Sequence, residues 1–370
     1  MKKSLLALAI FGAFAGVAQA QSAVTIYGSF DGGLRQVDNV DGNGNNKTSV
    51  GSTGTYNSNR LGFKGVEDLG NGLNAHFNLE TEFNTGTGAG SSTRLFSRAA
   101  NVGIGGAWGS VDFGRQYSIS FKTIGAYDPF NYKYTGIVPL ASASSGGTLP
   151  GGVVTTATNF GGTRFDNDIQ YTGTFGPITA RAEYAPGEVA GAASARSASA
   201  VGLAYAAGPF AAGAAYTQKK VSPLATAAGA NFDDTAWTVG GSFKTGPFRV
   251  AVGYNNEKID GATAVGVAAA GDAKQRIGWI GGNYTITPAL DLTAAWYQTR
   301  IDSPRVGLVA SSTGKKDLAI IGATYSLSKR TNFYADIDFT KLKDNQVLVG
   351  TAGRTEDRQT GVSVGINHFF

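Results

Sequence analysis

The side chains that catalysis would need are few in this chain, and poorly placed for it. There are two histidines, His76 and His368, and no cysteine, so neither a Cys–His pair nor a thiolate metal site can be assembled. No His-Glu-x-x-His string occurs. "SLSK", Ser326 to Lys329, has the Ser-x-x-Lys spacing of an acyl-transfer nucleophile, but it falls in what reads as a short turn. "GTGAG", Gly86 to Gly90, lies in a loop and does not lead from a strand into a helix, so it does not read as a phosphate cradle. Glu80 and Glu82 share one face of an alternating segment. Such a pair suits acid–base chemistry, but it is equally what a polar wall carries. The expectation is a protein that is not an enzyme and needs no cofactor.

The elements holding these residues alternate with period two along the chain. Val24, Ile26, Phe30 and Leu34 alternate with Thr25, Tyr27, Ser29, Asp31 and Arg35. Leu73, Ala75, Phe77 and Leu79 alternate with Asn74, His76, Asn78 and Glu80. Phe333, Ala335, Ile337 and Phe339 alternate with Asn332, Tyr334, Asp336 and Asp338. Strands with one apolar and one polar face give this pattern, and helices do not. Seven short turns are visible: "DLGNGL", "GGAWGS", "TFGPI", "AAGPF", "KTGPF", "TITPAL" and "SLSKRT". Between them lie eight longer polar or Gly-rich stretches, the longest at about 117–163, so the pattern predicts sixteen strands.

Composition narrows the compartment. Lys2 and Lys3, an apolar run too short to span a bilayer, and Ala18-Gln19-Ala20 read as a signal peptide over 1–20, leaving 21–370 as the mature chain. Charged residues make up 15% of the chain, below the usual quarter, and no basic cluster stands out, so a nucleic-acid partner is not expected. After the leader no apolar run is long enough for a transmembrane helix.

Sixteen amphipathic strands in one open sheet would leave exposed edges and a large apolar surface. Closing the sheet removes the edges, and lipid accounts for the apolar face. The expected fold is all-β: a 16-stranded antiparallel transmembrane β-barrel with short turns at one end and long loops at the other. At that width the interior is a water-filled channel, and Lys64, Glu80, Glu82, Asp336 and Asp338 have the inward parity. The last strand alternates to the final residue through Val362, Val364 and Ile366, ending at Phe370. It has to pair with the first strand to close the barrel.

In their order and spacing, "VTIYGSFDGGL", "NRLGFKGVEDLGNGL", "GSVDFGRQY", "RFDNDIQY" and the terminal "GINHFF" resemble the Gram-negative general porins, most closely the trimeric porins of betaproteobacteria. The resemblance implies an outer-membrane channel for passive diffusion of ions and small hydrophilic solutes. The implied partners are a homotrimer, outer-membrane lipid and lipopolysaccharide, and an assembly machinery that reads Val364, Ile366 and Phe370. It also implies that the loop 117–163 folds into the barrel as a constriction, facing arginines on the wall.

By that resemblance Arg60, Arg98 and Arg164 are the candidate constriction arginines. Arg60 and Arg164 have inward parity; the parity of Arg98 is not fixed, because Ala and Gly occupy both faces around it. Each could instead be a lumen or rim arginine balanced by a nearby acid such as Asp166 or Asp168. Between 117 and 163 the one acid is Asp128, which fits either a pore charge or a cap in the turn before Pro129. Three arginines against one acid imply moderate anion selectivity. A substrate-specific channel is the alternative: for anions it would use the same arginines, for sugars Phe130, Tyr132 and Tyr134.

Overall fold

The computed structural model describes residues 23–51, 56–90, 92–134, 148–149, 153–154, 163–221, 232–260, 269–270, 272–303, 305–306, 312–344 and 346–370. Residues 1–20, where a signal peptide is expected, and most of the expected constriction loop, 135–162, lie outside the described residues. Sixteen antiparallel strands form the barrel. They are β1 (Ala23–Val37), β2 (Arg60–Gly70), β3 (Leu73–Glu82), β4 (Ala99–Gly106), β5 (Gly109–Tyr117), β6 (Arg164–Phe175), β7 (Ile178–Ala185) and β8 (Ala198–Ala207). The second half is β9 (Phe210–Val221), β10 (Phe232–Thr245), β11 (Phe248–Ile259), β12 (Ala273–Thr287), β13 (Leu290–Ser303), β14 (Ser312–Ser326), β15 (Thr331–Asp344) and β16 (Arg358–Phe369). The helix α1 (Ile119–Ile124) follows β5.

Each strand pairs with its sequence neighbours, and β16 closes onto β1 from Ser29↔Phe369 to Val37↔Gly361. The short strand Lys47–Gly51 adds to the long-loop end of β1. The final residue completes the seam: Phe370 N donates to Gly28 O at 3.3 Å, Gly28 N donates to Phe370 O at 3.2 Å, and the Phe370 ring stacks on Phe30 with centroids 5.3 Å apart. A Cβ on Gly28 would lie 2.4 Å from that ring, so glycine keeps its place clear.

The turns follow from their sequences. Gly176, Gly208 and Gly246 take φ between 53° and 58° ahead of a proline, which suits a two-residue hairpin loop with glycine first. Asn71 and Gly72 both have positive φ, as an Asn-Gly hairpin turn requires.

The apolar parity faces outward all round the barrel, with Val201, Leu203, Val250, Val252, Ile321, Val362 and Val364 exposed. Two aromatic belts bound it. Tyr184, Tyr216, Trp237, Tyr254, Trp296 and Phe339 stand toward the long loops, and Phe175, Phe210, Phe248, Tyr284 and Phe333 toward the short turns. Buried apolar residues are concentrated instead inside, between the wall and the segment after β5.

Candidate functional site: the constriction of the channel

Past Tyr117 the chain turns into the lumen. Ser118 caps α1, its hydroxyl accepting from Phe121 N at 3.4 Å, and Ile119 N donates to the Glu183 carboxylate on β7 at 3.1 Å. A single turn of 3-10 helix, Gly125–Tyr127, carries the chain on to Asp128. The segment is pinned to the far wall by side chains that reach for its carbonyls. Trp279 Nε1 donates to Tyr127 O at 2.8 Å, Asn283 Nδ2 to Pro129 O at 2.9 Å, and Arg249 Nη2 to Ala126 O at 2.5 Å. At its end Tyr134 packs with Tyr56, Phe130 and Tyr334.

The wall accepts this segment because it lacks side chains there. Gly213 on β9, Gly240 on β10 and Gly253 on β11 lie directly opposite one another. Built Cβ atoms would stand 2.9 Å from the Tyr127 ring at Gly213, 2.8 Å from Tyr127 Cβ at Gly240, and 2.0 Å from the Trp279 ring at Gly253. Gly202 and Gly281 are equally close to Ile119 (2.5 Å) and Pro129 (2.6 Å). Side chains at these places would push the segment toward the channel axis.

Asp128 does not face the arginines set against it in the sequence count. It has no solvent exposure: Tyr297 OH donates to one carboxylate oxygen at 2.5 Å and Tyr132 N to the other at 2.7 Å. It holds the turn Asp128–Tyr132 against β13. Burial is the main force on its titration and pushes the carboxyl up to about 6, against the opposing pull of the Tyr297 hydroxyl, the Tyr132 amide and Arg249. The raised value has a sign: the seated segment binds this proton more tightly than a segment lifted into water. Between about pH 4, where a free carboxyl ionises, and about 6, the lifted segment has lost the proton that the seated one keeps. Seating is therefore strongest below this window, weakens as pH rises through it by about 3 kcal/mol in all, and is constant above it. Spontaneous closures of single channels should be more frequent at pH 7.5 than at pH 5. Asp128→Asn should erase that difference; a variant with the wild-type pH response would contradict the assignment.

On the opposite wall the arginines form one group. The side chain of Arg98, just before β4, is turned inward and buried, with Nε donating to Glu80 Oε1 at 2.5 Å and Nη1 to Glu82 Oε2 at 2.8 Å. Arg60 is opposite Glu82 in the β2–β3 register and donates to Asn57 Oδ1 at 3.1 Å. Arg164 Nη2 donates to Tyr117 OH at 2.7 Å, and Arg98 Nη2 donates to the same oxygen. The Arg164 guanidinium also lies 4.2 Å from the centre of the Tyr117 ring. Tyr117 stacks on Phe121 at 4.7 Å and Phe121 on Tyr132 at 4.2 Å, so one aromatic column runs from the arginine wall to the Asp128 turn. Among the described residues Arg60 and Arg164 have no carboxylate within ion-pair distance, whereas Arg98 has two. Arg98 is therefore charge-compensated.

A barrel with an inward-folded segment facing a wall of cations can be compared with known proteins. A family model described as Gram-negative porin matches residues 5–345. The chain belongs to that porin family. Outer membrane porin protein 32 of Delftia acidovorans is 32% identical to this porin, with 100% of each chain covered. The major outer membrane protein P.IB of Neisseria meningitidis serogroup B is 36% identical over 38% of this porin and 42% of its own length. Among solved structures, the anion-selective porin from Comamonas acidovorans superposes with a TM-score of 0.76 at 26% identity, covering 95% of this porin and 100% of that chain. OmpF of Salmonella typhi, at 18% identity and a TM-score of 0.62, shares the fold. This porin is thus an outer-membrane β-barrel channel and not an enzyme, and its long loops and short turns are the external and periplasmic connections.

Proposed function

We propose that this porin is an open, water-filled channel for small hydrophilic solutes, with moderate anion selectivity set by Arg60 and Arg164. The observation that carries the reading is an asymmetry of pairing. Among the described residues Arg60 and Arg164 lack a carboxylate partner, while Asp128, the acid expected to oppose them, is sealed beneath the inward segment. A cavity of about 390 Å³ beside that segment supports it, lined by Lys133, Lys244, Arg249, Lys329 and Arg330 against Asp291 alone. The similar Comamonas acidovorans protein is itself anion-selective. Hydrated ions pass such a charged ring without being held, so the preference should be modest and fade as salt rises. The test is the reversal potential of the refolded mature protein in a planar bilayer under a KCl gradient. A potential toward chloride, shrinking at molar salt, is expected; a cation preference would overturn the reading.

Tyr117 is proposed as the residue that positions the Arg164 guanidinium, sharing its hydroxyl with Arg98. Tyr117→Phe keeps the ring stack but removes the shared acceptor. Its reversal potential should move toward zero while single-channel conductance stays within about a quarter of wild type, since the ring still fills the same space. An unchanged reversal potential would remove Tyr117 from this role.

The reading extends to assembly as a homotrimer in outer-membrane lipid, with Val364, Ile366 and Phe370 as the end that the assembly machinery recognises. Supporting this, Phe370 closes the barrel seam on β1, so an unpaired last strand would present an extended edge until closure.

A further inference from the structure

Another inward guanidinium stands nearer the periplasm than Arg60 and Arg164, each of which opens a strand at its external end. Arg181 is the fourth residue of β7, counted from the short turn. It shares its face with Glu183, whose carboxylate accepts Ile119 N of the inward segment at 3.1 Å, so Arg181 also faces the lumen. It lies two residues closer to the periplasmic turn than Glu183, roughly 7 Å along the strand. Thr172, the residue opposite it on β6, is eight positions beyond Arg164. The two arginines therefore act at different depths of the channel.

The surroundings give Arg181 no counter-charge. Thr172 on β6 and Gly202 on β8 lie directly opposite, and Thr179 is the next inward residue along β7. A Cβ on Gly202 would stand 2.5 Å from Ile119 and 3.0 Å from Thr123, so α1 occupies the wall there and Arg181 borders it. Among the described residues Arg181 makes no ion pair, and its Nε is buried without a hydrogen-bond partner.

The acids on this part of the wall answer to other groups. Glu183 is buried and accepts from Gln170 Nε2 at 2.7 Å as well as from Ile119 N; Asp168 is buried and accepts from the same amide at 3.3 Å. The cation that balances them is Lys122 on α1, which donates to Gln116 Oε1 at 3.2 Å and to Gln170 Oε1. Lys122 in turn repels Arg181, and Tyr127 is the residue within electrostatic reach of the guanidinium that attracts it. The fold gains no ion pair from an arginine here, and a passing anion can.

We infer, resting on the anion selectivity proposed above, that Arg181 is a second selectivity position set toward the periplasm. The preference for anions then depends on which mouth of the channel meets the dilute solution. The cause is screening. At 0.1 M salt a charge acts over roughly 10 Å, across much of the lumen, and at 1 M over only about 3 Å. A cation near one mouth selects most when that mouth is dilute.

The test is the reversal potential of the refolded mature protein, inserted from one chamber so that the channels share one orientation. KCl stands at about 0.1 M on one side and about 1 M on the other, and the gradient is then reversed. Arg181→Gln should lower the chloride-to-potassium permeability ratio roughly twofold when the periplasmic side is dilute, and by less than about a fifth in the reverse gradient. Arg181→Lys should keep the wild-type ratio in both, since it retains the charge and loses only the guanidinium shape. An arginine that merely supported α1 would not be replaced by lysine, and its loss would shift both gradients alike. Conductance at molar salt should be unchanged in both variants, because screening hides the charge there. An equal change in the two gradients, or none, in a channel that still prefers chloride would overturn Arg181 and leave Arg60 and Arg164 in place. Wild-type protein with no chloride preference in either gradient would remove the selectivity reading and Arg181 with it.

Discussion

Replacing Arg60 and Arg164 together by glutamate is expected to carry the reversal potential through zero, from chloride-preferring to potassium-preferring. Neither position has a carboxylate partner among the described residues, so each reversal changes the lumen field by two unit charges with little internal compensation. A unit charge about 4 Å from a passing ion contributes ~1 kcal/mol in bulk water and ~4 kcal/mol at the effective dielectric of a protein surface. A change of four unit charges is therefore ample to reverse a preference of a few-fold, and either single variant should stop near zero. The effect should be largest at 0.1 M salt and small at 1 M, where the Debye length is roughly 3 Å. Arg98 gives the contrast. Arg98→Gln leaves the Glu80 and Glu82 carboxylates without their cation, and Glu80 is buried, so the dominant result should be a loss of barrel stability of about 3–5 kcal/mol. A double Arg60/Arg164 variant that still prefers chloride would move the selecting charges to Arg249 and the lysines of the neighbouring cavity.

The barrel was readable from the chain because its two signals are local. Alternation puts each strand's apolar set on one side, and each of the seven expected short turns joins two adjacent strands in the structure, "DLGNGL" between β2 and β3 and "SLSKRT" between β14 and β15 among them. The candidate site was less readable, for reasons that differ by residue. Arg60 and Arg164 open strands, so parity alone assigns them to the lumen. Arg98 precedes its strand, and its inward turn is set by Glu80 and Glu82, eighteen and sixteen positions away. Tyr117 escaped notice because the β5–β6 register shifts between Gly114 and Gln116, which breaks the alternation just before it. Asp128 fitted cap and pore charge equally in the sequence; the choice between them depends on Tyr297, 169 residues distant.

Register also decides the second large effect, at the wall glycines. Gly240→Leu should lower single-channel conductance to roughly half or less and raise open-channel noise. The chain has 54 glycines, and in sequence Gly240 and Gly241 are indistinguishable. In the fold Gly240 points inward under Tyr127, its built Cβ 2.8 Å from Tyr127 Cβ, while the nearest atom to a Cβ on Gly241 is the wall carbonyl of Ala211 at 3.2 Å. The wall cannot yield, because Gly240 is held in register with Gly213 on one side and Gly253 on the other. The inward segment has to give, and its free direction is toward the axis, into the space through which ions pass. Lifting it by even the width of a methylene would weaken the Trp279 to Tyr127 bond and the Asp128 contacts with Tyr297, each net about 1 kcal/mol. The segment would then move between seated and lifted states, which is the source of the noise. Gly241→Ala, on the lipid side of the same strand, should leave both conductance and noise unchanged. If Gly240→Leu conducted more than wild type, the segment would have left the lumen altogether, and the pinning by Trp279, Asn283 and Arg249 would be weaker than their geometry requires.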